Sequence, residues 1–170
     1  MEMKWKWKDC IPSFLLLACC LCCSLLERGG VIGRQSFGGV AVTLSGCMTY
    51  HFSHANIFHL TANAFALLSF RPRWSTLLVS YACATVAALL LSFASAVIGH
   101  PMLPTCGMSG ILFAAFARRS VAWKQFPWAL LAVNFLLALS PLFSWQTHLV
   151  SFLLSYGLWH LYYRRSIAQR

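Results

Sequence analysis

Four polar side chains stand in or at the ends of mainly apolar runs: His59 and Asn63 in HFSHANIFHLTANAF, Ser109 in GMSG, and His148 in QTHLVSFLLS. These residue types can carry chemistry. A serine hydroxyl is a poor nucleophile until an adjacent base takes its proton, and histidine, titrating near neutral pH, is the usual base. A polar side chain within an apolar span is costly and faces a bundle interior or a cavity, so each of the four invites a functional reading. Interhelical hydrogen bonding uses the same residue types and is the plainer alternative.

The elements that must position these residues follow from composition. Of the 170 residues, 59% are hydrophobic and 9% charged, against roughly 45–50% and about 25% in soluble domains. Apolar runs at residues 11–26, 55–70, 74–98, 108–118, 127–139 and 146–163 predict an all-α polytopic membrane protein, a six-helix bundle forming one domain over 1–170. The first run follows a basic start. It resembles a signal peptide, and Leu16-Leu17-Ala18-Cys19 faintly resembles a lipoprotein cleavage box, but the later runs make a retained signal anchor the more economical reading. Between residues 27 and 50, Gly, Ser and Thr dominate and predict a long loop on or in the membrane interface.

The net charge of +10 is not a nucleic-acid footprint, because its residues cluster at the ends of apolar runs. Lys4, Lys6 and Lys8; Arg71 and Arg73; Arg118, Arg119 and Lys124; and Arg164, Arg165 and Arg170 all fall on one side if the N-terminus is cytoplasmic, leaving only Arg28 and Arg34 opposite. The positive-inside rule therefore predicts that both termini are cytoplasmic. Trp5 and Trp7 among the first lysines read as interfacial anchors.

Charged ends also serve as a depth ruler. From Ser109 to Arg118 is ~14 Å of helix, about half of a ~30 Å hydrocarbon core, so this short helix is expected to begin inside the membrane, with the preceding loop dipping to reach it. Non-helical backbone at that depth is tolerated only when buried in protein or lining a cavity. Asn63 and His59, on one face of their helix, lie ~12 and ~18 Å above Arg71, level with Ser109. His148 lies ~17 Å above the interfacial Trp159 and is a near neighbour by the same measure.

Read together, these motifs resemble those of the rhomboid intramembrane serine proteases. Gly107-Met108-Ser109-Gly110 opening a helix is similar to the family's G-x-S-G. His54, His59 and Asn63 resemble its second-span signature, and Thr147-His148 followed by Ser151 and Ser155 its sixth-span A-H-x-x-G-x-x-x-G, with serines at the glycine positions. The resemblance implies Ser109 as nucleophile and His148 as general base. His59, Asn63 and the Ser109 N–H would stabilise the oxyanion, and His54 would brace the outer loop. Phe113 stands where many members have tyrosine, an aromatic platform beneath the histidine. The only acids, Glu2, Asp9 and Glu27, lie near the N-terminus, so a dyad is expected instead of a triad. Gly107 and Gly110 flanking the serine, with small Ser151 and Ser155 opposite, suit close helix approach.

The expected activity is cleavage of transmembrane or membrane-anchored protein substrates, in a bacterial cytoplasmic (inner) membrane and without a cofactor. The alternative is a catalytically inactive relative that binds transmembrane clients. A small transporter is disfavoured because the halves show no inverted repeat or matching broken helices. No metal is expected: Cys19, Cys20, Cys22 and Cys23 share one apolar helix and cannot converge tetrahedrally, while His51, His54 and His100 lack an accompanying carboxylate or H-E-x-x-H spacing. Packing is the reading for the cysteines.

Overall fold

A computed structural model describes residues 7–33, 43–99, 105–124, 128, 132, 134–135 and 144–168. Among them the chain is helical, without strands. After a 3₁₀ turn at Trp7–Cys10 come α1 (Ile11–Arg28), α2 (Leu44–Thr49), a 3₁₀ turn at Tyr50–Phe52, α3 (Ile57–Phe70), α4 (Trp74–Ile98), α5 (Ser109–Trp123) and α6 (Trp145–Ala168). Most of the apolar run 127–139 lies outside the described residues; Trp128, Ala132, Asn134 and Phe135 within it are helical.

Local chemistry sets the helix ends. Pro12 stands in the first turn of α1, where a missing N–H costs nothing. Asn56 caps α3, its side-chain oxygen accepting from His59 N at 2.9 Å. Arg71 then ends the helix in the left-handed region at φ 47°, ahead of Pro72. Gly99, at φ 72°, closes α4. The expected ends of α1, α3 and α4 thus shift by two residues or fewer.

Three segments differ more from expectation, the first being α6, which continues past the expected end at Tyr163, through Arg164 and Arg165, to Ala168. The Gly/Ser/Thr-rich stretch contains a real helix, α2, nucleated by Thr43, whose hydroxyl accepts from Gly46 N at 3.0 Å. Burial of Gly46, Cys47 and Tyr50 against α4 outweighs the poor propensity of a central glycine. α5 runs five residues past Arg118, to Trp123, before Lys124 turns left-handed at φ 53°. Arg118 does not end the helix because its neighbours accept it: Nη1 donates to Thr76 Oγ1 at 2.8 Å and the guanidinium lies 4.8 Å from the Trp159 ring centre.

α5 is the centre of the bundle and packs chiefly on α4 and α6, which also pack on each other. Small residues, Gly110, Ala114, Ala115 and Ala117, make up much of its buried surface, and Gly110 faces Ala84 of α4 and Ser151 of α6. Without a hydrophobic drive between helices in lipid, such close backbone approach supplies the packing energy. Ser155 adds a hydrogen bond across it, donating to the Ala114 carbonyl at 2.7 Å.

The outward faces are apolar. Phe14, Leu15 and Leu25 of α1 and Leu78, Phe93 and Val97 of α4 are exposed. Large apolar side chains exposed along both helices suit a lipid-facing surface. Among the described residues, α1 and α4 are long and apolar enough to cross a bilayer, and α3 is apolar but 14 residues long.

Candidate active site

Ser109 is the first residue of α5, and the segment leading to it is anchored by a backbone hydrogen bond. Gly107 N donates to the Tyr50 carbonyl at 2.9 Å, tying the segment to the 3₁₀ turn at Tyr50–Phe52. Gly107 itself, at φ 106°, adopts backbone open to glycine and little else. A methyl group there would stand 2.6 Å from His59 Cε1, 2.9 Å from His59 Nε2 and 3.5 Å from Asn63 Nδ2. The absence of a side chain at Gly107 is therefore what admits the two α3 side chains beside the serine.

Gly110 serves the other flank. A Cβ at this position would lie 3.3 Å from the Tyr50 hydroxyl and 3.4 Å from both Ala84 Cβ and Ser151 Oγ. Removing that atom brings α5 close enough to α6 for the serine to meet the histidine. Ser109 Oγ lies 2.8 Å from His148 Nε2. Phe113, one turn below Ser109, stacks on the imidazole with ring centres 4.4 Å apart and planes 6° from parallel.

Ser109, His148, Phe113, His59, Asn63, Gly107, Gly110 and Ser151 lie close together, while Ser155 stands further along α6 against Ala114. His148 is 5% exposed and Asn63 7%. Asn63 Nδ2 is a buried donor with no hydrogen-bond acceptor among the described residues; such orphaned donors are rare and ask for an explanation. His54 stands behind His59, edge-on with ring centres 5.2 Å apart, its Nδ1 3.4 Å from the Phe52 carbonyl. Burial, with a smaller contribution from His59, pushes the His54 imidazole down to about 4. Burial likewise pushes His51, which lies against Tyr50 and Tyr81, down to about 3. His100 lies outside the described residues. No cluster of three or more His, Cys, Asp or Glu side chains suited to a metal occurs among the described residues.

A cavity of about 390 Å³ opens beside Ser109 and Asn63 and continues between α3 and α5 past Leu112, Phe113 and Phe116 to Arg119. Its walls are mostly apolar. A second cavity, about 360 Å³, lies between α1 and the start of α3, lined by Glu27, His54 and Asn56, and does not reach the serine.

One residue at the site was not anticipated. Asn134 places Oδ1 3.0 Å from His148 Nδ1, and its Nδ2 donates to the Trp145 carbonyl at 3.2 Å. Its signal in the sequence was its solitude, since the run WALLAVNFLLAL has no other uncharged amide, hydroxyl or imidazole.

A helical bundle with apolar outer faces, holding a serine and a histidine within hydrogen-bonding distance at its centre, defines a class of membrane-embedded protein. The particular family follows from the sequence: the family model for the rhomboid domain matches residues 42–165. That is well over half of the chain, which belongs to the rhomboid family and is an integral membrane protein. The sequence matches none of the curated proteins.

Proposed function

We propose that the protein is an intramembrane serine endopeptidase that cuts transmembrane or membrane-anchored proteins, with Ser109 as nucleophile and His148 as general base. The observation that carries this reading is the 2.8 Å separation of Ser109 Oγ from His148 Nε2, over the parallel Phe113 ring. That distance is within the reach a general base needs for the proton it abstracts.

In this mechanism Ser109 Oγ–H donates to Nε2 and passes its proton there as oxygen attacks the scissile carbonyl. Negative charge develops on the carbonyl oxygen, and Asn63 Nδ2, the His59 ring N–H and the Ser109 backbone N–H donate to it. The first N–H groups of a helix lack intrahelical partners and carry the positive end of its dipole, which favours an anion at the start of α5. His148 then returns the proton to the departing amine nitrogen. Water, activated by the same imidazole, hydrolyses the acyl-enzyme and regenerates Ser109. Gly107 and Gly110 permit the approach of these groups, Ser151 and Ser155 the packing of α6, and His54 braces the turn behind His59. No cofactor or metal enters any step.

The whole chain, 1–170, is read as one domain of six spans, both termini on the cytoplasmic side of a bacterial inner membrane. The Lys and Arg distribution supports that orientation. Substrate proteins would enter from the lipid bilayer.

Purified protein in proteoliposomes with a model transmembrane substrate tests the proposal. Wild type is expected to cleave it and to react with a fluorophosphonate probe. Ser109→Ala and His148→Ala should each abolish cleavage, and Asn63→Ala should slow it by roughly 10²–10³, the cost of one oxyanion donor. Full activity in Ser109→Ala or His148→Ala refutes the dyad. Wild type that neither cleaves nor labels, while an active relative does both, leaves the client-binding alternative instead.

A further inference from the structure

The Phe113 stack fixes the plane of the His148 ring but is indifferent to rotation within that plane, and it says nothing about which nitrogen holds the proton. Both matter. Neutral imidazole carries its hydrogen on one nitrogen and a lone pair on the other, and only the lone pair can receive a proton from serine.

Asn134 decides both. The residue is 3% exposed, and its two hydrogen bonds are linked by a simple constraint. The Trp145 carbonyl, 3.2 Å from Nδ2, only accepts, so the amide must present its NH₂ group there and its oxygen to His148. That oxygen, 3.0 Å from Nδ1, also only accepts. Nδ1 must therefore be the protonated nitrogen, which leaves the lone pair on Nε2, facing Ser109 Oγ. We infer that Asn134 is a positioning residue that holds His148 in the Nδ1–H tautomer and in its in-plane orientation, so that the serine proton always meets an acceptor. This inference rests on reading Ser109 and His148 as the reacting pair.

The same contact acts after proton transfer. When Nε2 takes the Ser109 proton, the imidazolium has two N–H groups, and the one at Nδ1 becomes a charge-assisted donor to the amide oxygen, which strengthens that bond. Without Asn134, a buried Nδ1–H loses its acceptor, which favours moving the hydrogen to Nε2. The ring would then present a donor to the serine in place of a base.

Selective ¹⁵N-histidine labelling in detergent micelles, with His148 assigned by loss of its signal in His148→Gln, reads the tautomer without needing turnover. Wild type should show a protonated Nδ1 and an unprotonated Nε2, and Asn134→Ala should show both tautomers. In cleavage assays Asn134→Ala should lower kcat by ~10²-fold, the scale of a misplaced catalytic group, with KM unchanged. Asn134→Asp, buried and therefore in its neutral acid form, offers its carbonyl oxygen to Nδ1–H and its O–H to the Trp145 carbonyl, so it should restore the wild-type tautomer and most of the lost kcat. A wild-type His148 protonated at Nε2 overturns the inference, as does Asn134→Ala with wild-type kcat and tautomer. So does an Asn134→Asp that is folded by thermal shift yet no better than Asn134→Ala. If wild type cleaves nothing, the protease reading fails, while the ¹⁵N shifts still decide the tautomer.

Discussion

Gly107→Ala is the most searching perturbation, because the new atom meets named groups at known distances. Its Cβ would arrive 2.6 Å from His59 Cε1 and 2.9 Å from His59 Nε2, whereas carbon atoms in contact prefer ~3.5–4.0 Å. His59 or the Gly107 backbone must therefore retreat by about 1 Å. Two costs follow. Holding alanine at φ 106° stores on the order of 1–3 kcal/mol of backbone strain, which should appear as a lower Tm. Displacing the donor that the proposed mechanism assigns to the oxyanion by ~1 Å should lower kcat by ~10²-fold, or about 2.7 kcal/mol of transition-state stabilisation. The assay is cleavage of a transmembrane substrate well below the Tm of the variant, run as a double-mutant cycle with His59→Ala. If the glycine acts by admitting His59, its substitution should matter far less once the imidazole is gone. An undiminished effect in the His59→Ala background refutes this reasoning, and so does wild-type kcat in Gly107→Ala alone.

Two further outcomes are expected. Gly110→Ala places a methyl 3.3 Å from the Tyr50 hydroxyl and 3.4 Å from Ala84 and Ser151, in contact with three elements that must give way together; overpacking of this kind should destabilise by about 1–3 kcal/mol, measured as a fall in Tm in detergent. Acidification should loosen the outer turn, because His51 and His54 are held neutral at about 3 and about 4, below the ordinary value near 6.5. Between pH 6.5 and those values the unfolded chain binds more protons than the folded one. Stability is therefore complete above the upper limit and falls with pH, by about 2 kcal/mol per histidine at pH 5. Hydrogen exchange across residues 50–56 should accelerate over that range and should lose much of its pH dependence in His51→Gln and His54→Gln; exchange that is flat from pH 7 to 5 contradicts it.

Much of the site was legible because bilayer geometry makes depth readable. Helical rise counted from charged ends gave Ser109, Asn63 and His59 one expected level, and in the fold the two α3 side chains lie against Gly107, two residues before Ser109. Side chains that satisfy one another across the bundle were less legible. Arg118 looked like a helix end, yet Thr76 and Trp159 receive it and α5 continues. α2 was hidden for a related reason: its composition favours a loop, and only burial on α4 makes it a helix. Asn134 was the hardest to see. It stands 14 positions before His148, beyond any local spacing rule, and meets the ring only through the fold.

An amide at that position has an electrostatic consequence. At rest the group Asn134, His148, Ser109, Asn63 holds no formal charge, so burying it in the bundle incurs none of the Born energy that an ionised carboxylate would bring, idealised at ~20 kcal/mol for an ion entering a medium of ε ≈ 4. On the proposed mechanism charge appears only as a pair, imidazolium and oxyanion, created together and summing to zero. The field outside the site is then that of a short-lived dipole, which the surrounding lipid scarcely feels.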